Sequence, residues 1–123
     1  MPPTPPIIIS EGHEIYILKT VADAELFLEG WAVREGKQVA YDAVGTRLQL
    51  NVRTWTPRHW LGRFLRIHRD TVTVTTHPDR DAEPSDLRAL LRSYLSAVAR
   101  DPLPGPDATL VDLIASARRY AGR

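Results

Sequence analysis

Apolar residues recur along this chain with two different periods, and the switches between them mark out strands and helices. Glu14-Ile15-Tyr16-Ile17-Leu18 is rich in β-branched and aromatic residues and predicts a first strand. Ile7-Ile8-Ile9, just before it, is a run without alternation and is read as an extension of that strand or a short edge. Thr20 stands three residues before Asp23, as an N-cap does before an acid in the first turn. Val21, Ala24 and Leu28 then repeat at helical spacing, with Gly30 as a C′ stop, which predicts a helix over Val21–Glu29. Gln38–Tyr41 reads as a second strand and Asp42-Ala43-Val44-Gly45 as a tight turn. Leu48, Leu50 and Val52 alternate with Gln49, Asn51 and Arg53, so a third strand follows, hairpinned to the second with one face buried.

Thr54–Gly62, containing Pro57, reads as a loop. Phe64–Ile67 and Thr71–Thr76 are expected as two further strands joined by a turn near Arg69-Asp70, the second on its period-two run of Thr and Val. Ser85 is the expected N-cap of a helix whose stripe is Leu87, Leu90, Leu91, Tyr94, Leu95 and Val98, with Arg88, Arg92 and Ser96 off it. Asp101–Pro106 is a proline-rich connector. Thr109, with Asp112 three residues on, opens a last helix that buries Leu110, Leu113, Ile114 and Ala117.

The resulting expectation is an α+β domain of order β-α-β-β-β-β-α-α. It has a mostly antiparallel sheet of 4–5 strands, with three helices packed mainly on one face and the other face open. Residues 1–6, with four prolines, are expected as a flexible extended tail, and 7–123 as one domain. A chain of this length buries roughly 65% of its unfolded surface, so it needs no covalent staples.

Composition narrows the chemistry. No cysteine is present, which removes disulfides, thiolate ligands and a cysteine nucleophile. No apolar run approaches the ~20 residues of a membrane span, and no secretion signal is read at the start, so a cytoplasmic location is expected. His13, His59, His68 and His77 lie no closer than nine residues apart, unlike compact zinc-ligand pairs, so no metal or cofactor is expected. Phosphate-binding glycine loops and nucleophile elbows are absent from the sequence. Tyr41-Asp42 is the one acid–phenol pair worth inspecting, with a turn-closing aspartate as the simpler reading. The chain is therefore read as non-enzymatic.

The near-neutral net charge hides an uneven distribution. Between Ala43 and Arg69 there are six arginines and no carboxylate, whereas Glu11–Glu35 and Asp70–Asp86 are acidic. Within the basic stretch stand Trp55, Arg58, His59, Trp60, Arg63 and Arg66, which are taken as the candidate partner-binding residues because Trp and Arg are enriched at binding hot spots. A nucleic acid could also use such a segment, but the overall charge balance is weaker than such domains show. A small ligand-binding domain with a pocket between sheet and helices is the other alternative.

The element order resembles that of small immunity proteins of bacterial polymorphic and contact-dependent toxin systems. The resemblance lies in the strand and helix around Glu14–Glu29, the Tyr41–Leu48 turn region, and the closing helices from Ser85 and Thr109. It implies a protein partner, a cognate toxin effector domain, whose active site the immunity protein occludes. It carries over no functional residue.

Overall fold

The computed structural model describes residues 3–55, 69–76, 84–99 and 102–121. It is an α+β arrangement with two small antiparallel sheets and four helices among the described residues. The isoleucine run is neither an extension nor an edge. It forms its own strand, β1 (Ile7–Glu11), which turns through Gly12-His13 into β2 (Glu14–Leu18). Gly12 has φ +61, the left-handed conformation that a two-residue hairpin loop requires. Strand β3 (Gln38–Tyr41) pairs with the other side of β1, giving the order β2-β1-β3.

The physical reason for this central place is burial on both faces. Ile8 joins Ile15 and Ile17 on one side of the sheet, in a core shared with Leu87, Leu91, Tyr94, Leu95, Leu113, Ile114 and Ala117. Ile7 and Ile9 join Leu18 and Ala40 on the other, with Ala24, Leu28, Leu48, Val72 and Val74. A strand covered twice has no polar face to alternate, so its sequence is continuously apolar. Each fully buried isoleucine contributes about 1.5–3 kcal/mol. The expected open sheet face is therefore closed.

What closes it is a second sheet. Strands β4 (Leu48–Trp55) and β5 (Arg69–Thr76) form a separate two-stranded ribbon, with Leu48 opposite Thr76 and Trp55 opposite Arg69. The expected hairpin between residues 38–41 and 48–53 is thus only half right. Its turn exists, but β4 leaves β3 after a single bridge, Tyr41 to Arg47, and pairs with β5. The register also moves the boundaries. Thr54 and Trp55 belong to β4, and Arg69 and Asp70, expected in a turn, begin β5, because each supplies the other's ladder partner. The expected strand Phe64–Ile67 lies outside the described residues.

The helices divide between the two faces. Helix α1 (Val21–Phe27) starts as expected, with the Thr20 hydroxyl accepting from the Asp23 N–H at 3.0 Å. It stops earlier than expected, because Leu28 turns to extended backbone and is buried in the second core. The Gln38 side chain accepts from the Glu29 N–H at 3.0 Å, and a short helix α2 (Gly30–Arg34) follows. Gly30 begins that helix and is not a C-terminal stop. On the opposite face, α3 (Pro84–Val98) begins with proline in its first turn, where a missing N–H costs nothing. Ser85 is therefore inside the helix and is not its N-cap. Val98, expected on the apolar stripe, is exposed. Arg92 donates to the carbonyls of Pro104 and Gly105, and Arg88 to that of Pro106, which ties the proline-rich connector to α3. Helix α4 (Leu110–Arg118) has the expected reciprocal capping box between Thr109 and Asp112.

Candidate partner-binding surface

The ribbon presents two unlike faces because its strands alternate. Leu48, Val72 and Val74 are buried against the central sheet, with Leu50 and Val52 packed beside them. Gln49, Asn51, Arg53, Thr71, Thr73 and Thr75 are exposed on the other side, as is Arg47. The exposed groups are ordered among themselves. Gln49 Nε2 donates to Asn51 Oδ1 at 3.2 Å, Asn51 Nδ2 donates across the ladder to Thr75 Oγ1 at 3.2 Å, and Thr71 Oγ1 donates to the Arg53 carbonyl at 3.3 Å. Such cross-strand pairs hold a polar β face in one arrangement.

The outer edge of β5 is closed at Val74, whose N–H donates to Glu25 Oε2 of α1 at 2.7 Å. A carboxylate on a strand edge occupies a donor that another strand would otherwise use. Of the candidate residues, Trp55 is the last position of β4 and lies opposite Arg69 in the register. Arg58, His59, Trp60, Arg63 and Arg66 lie outside the described residues. The chain thus leaves the ribbon at Trp55 and returns at Arg69 directly across from it. Sequence reasoning missed the neighbouring polar face, although its signal was present in the polar phase of Gln49, Asn51 and Arg53 and in the threonines at 71, 73 and 75.

The turn that joins the two sheets is built around Asp42. Its side chain is 2% exposed, and Oδ1 accepts from the N–H groups of Val44 (3.2 Å) and Thr46 (2.9 Å). Oδ2 accepts from the Thr4 N–H at 3.2 Å, and the Thr4 carbonyl accepts from the Ala43 N–H at 2.8 Å. Three backbone donors engage this carboxylate, so the Tyr41-Asp42 pair has the turn-closing role and Asp42 fastens Thr4 of the amino-terminal stretch. Gly45, at φ +92, packs so closely on Pro84 that an added Cβ would lie 2.6 Å from its Cα.

Two other places were candidates for chemistry. The space between the central sheet and α3/α4 is filled mainly by apolar side chains, with a small cavity of about 110 Å³ between the β1–β2 hairpin and α3 whose lining includes Ser10, His13, Glu14, Ser93 and Tyr94. An open groove of about 560 Å³ runs beside β2 and α1, lined by Ile17, Leu18, Lys19, Asp23, Leu26 and Phe27, with Leu26 86% exposed. Near the other end of β2, the Tyr16 hydroxyl donates to Glu14 and its ring sits 4.6 Å from that of Phe27. The bond to the Glu14 carboxylate, with burial second, pushes Tyr16 up to about 12. Burial, and then Glu14, also raises Tyr94. Among the described residues no three His, Asp or Glu side chains converge as a metal site. No described helix is long and apolar enough to cross a membrane. Comparison with protein-family models, curated proteins and solved structures returned no match.

Proposed function

We propose that this chain is a non-catalytic immunity protein that acts in the cytoplasm by covering the active site of a cognate bacterial toxin. One observation carries the reading. The segment densest in tryptophan and arginine is strung between two strand ends, Trp55 and Arg69, that the ribbon holds opposite each other. A packed ribbon that fixes the two ends of a binding segment reduces the ordering cost of association. Trp60 supplies contact area to the complex and Arg63 directional charge-assisted bonds, while Trp55, Arg58, His59 and Arg66 complete the contact. A basic segment favours encounter with an acidic cleft and disfavours partners of like charge.

The test is calorimetric binding to the toxin domain encoded by the adjacent reading frame, with Trp60→Ala and Arg63→Ala. Each is expected to weaken affinity ~10-fold or more, about 1.4 kcal/mol. Unchanged affinity in both would remove the segment from the contact. Failure of the unaltered chain to bind or inhibit that domain would remove the toxin.

A further inference from the structure

We infer that the outer face of the β4–β5 ribbon, from Arg47 to Arg53 and across to Thr71–Thr75, is a docking surface for an acidic protein surface. This rests on reading the chain as a protein-binding domain, but not on the partner being a toxin. Charge is the first argument. Arg47 and Arg53 are exposed at the two ends of one face, and neither pairs with a carboxylate among the described residues. Between them stand only amides and hydroxyls, so among the described residues this face carries positive charge and no carboxylate. At ~3.3 Å per residue the two guanidinium-bearing positions are about 20 Å apart along the strand, a length that suits a macromolecular surface.

The second argument is order. The Gln49–Asn51–Thr75 chain and the Thr71 bond to Arg53 hold the intervening groups in place before a partner arrives. Burial of Leu48, Val72 and Val74 beneath them fixes the backbone that carries them. The third argument is what the face excludes. Glu25 occupies the Val74 N–H, so a partner strand cannot extend the ribbon at that point and must meet it face-on. The chain's net charge of +1 lacks the strong basic imbalance that nucleic-acid domains show, which favours carboxylates of a protein over a nucleic acid.

The experiment is an NMR titration of the full chain with a Glu-Ser repeat peptide of about twelve residues, enough to span the face at ~3.3 Å per residue. An oligothymidine of matched charge serves as the comparison. The expected result is backbone amide shifts confined to residues 47–53 and 71–75, larger with the peptide and lost at high salt. Arg47→Glu combined with Arg53→Glu should weaken the peptide at least ~10-fold. Both sites are exposed, so circular dichroism should be unchanged. Shifts elsewhere, no shifts, or full affinity after charge reversal would overturn the inference, and a stronger response to the oligonucleotide would reassign the face to nucleic acid. A ribbon that binds the peptide in a chain that ignores every toxin domain would sink only the toxin reading.

Discussion

The central sheet and the outer ribbon are both antiparallel and both rich in β-branched residues, yet they are written differently in the sequence. β1 carries three consecutive isoleucines, whereas β4 and β5 alternate apolar with polar. The difference is the number of faces in contact with protein. Ile7, Ile8 and Ile9 are all fully buried because α3 and α4 cover one side of the sheet and the ribbon with α1 covers the other. Among the described residues the ribbon is covered once, and Gln49, Asn51, Arg53, Thr71, Thr73 and Thr75 on its second face are exposed. In this molecule the apolar run marks a strand covered twice, and the alternating strands mark a ribbon with one buried and one exposed face.

That contrast can be broken most directly by truncation. Ile8→Ala should destabilise the protein by about 3–4 kcal/mol in urea unfolding, because the cavity it leaves is walled by Leu87, Leu91 and Leu95 of α3 and cannot collapse easily. Thr73→Ala, on the exposed face of β5, should stay within ~0.5 kcal/mol. Comparable losses at the two sites would mean that β1 is not the doubly covered strand.

The join between the two regions offers the next largest effect. Gly45→Ala puts a side chain at φ +92 and aims it at backbone atoms of Pro84, 2.6 Å from Cα and 2.9 Å from N. The left-handed conformation costs about 1–2 kcal/mol and the overlap about as much again, so roughly 3 kcal/mol is expected. Hydrogen exchange sharpens the point. Protection at Thr73 and Asn51, whose N–H groups face each other across the ladder, should fall more than at Ile8, since the turn is what seats the ribbon on the sheet. Equal losses everywhere would show that the ribbon has no separate opening.

Much of this architecture was legible residue by residue, and most of what was not concerns pairing. The Thr20 and Thr109 caps, the α3 stripe from Leu87 to Leu95, and strands β2, β3, β4 and β5 follow from local pattern. Which strand lies beside which is set by burial between distant segments. Alternation in Leu48–Val52 says that one face is buried but does not say by what. Likewise Ile7-Ile8-Ile9 has no period from which to infer two cores. Gly30 carried a stop signal that the buried Leu28 and the Gln38 cap overrode two residues earlier. As for the site, the Arg/Trp segment was legible only as composition. Its place at the end of a ribbon, and the polar face beside it, depend on the β4–β5 register.

The smallest expected effect tests where the contrast blurs, at β2, which carries the partly exposed Tyr16. Tyr16 points to the ribbon side of the sheet, packs on Phe27 and donates to Glu14, which raises it to about 12. A tyrosine in the unfolded chain titrates near ~10. The folded state therefore holds the phenol proton more tightly. Its contribution to stability is complete below pH ~10 and is lost as pH rises through the window from there to about 12. Glu14→Gln removes the carboxylate that ranks first among the causes, so Tyr16 should titrate lower and the fall in stability across that window should shrink. Ring-carbon NMR resolves Tyr16 from Tyr94, which burial and Glu14 also raise, and a Tyr94→Phe background removes the overlap. If Glu14→Gln left the Tyr16 titration unmoved, the hydroxyl would not be held by that carboxylate. The exposed end of β2 would then be as free of fixed side-chain order as a solvent loop, and the ribbon's outer face would be the more ordered surface.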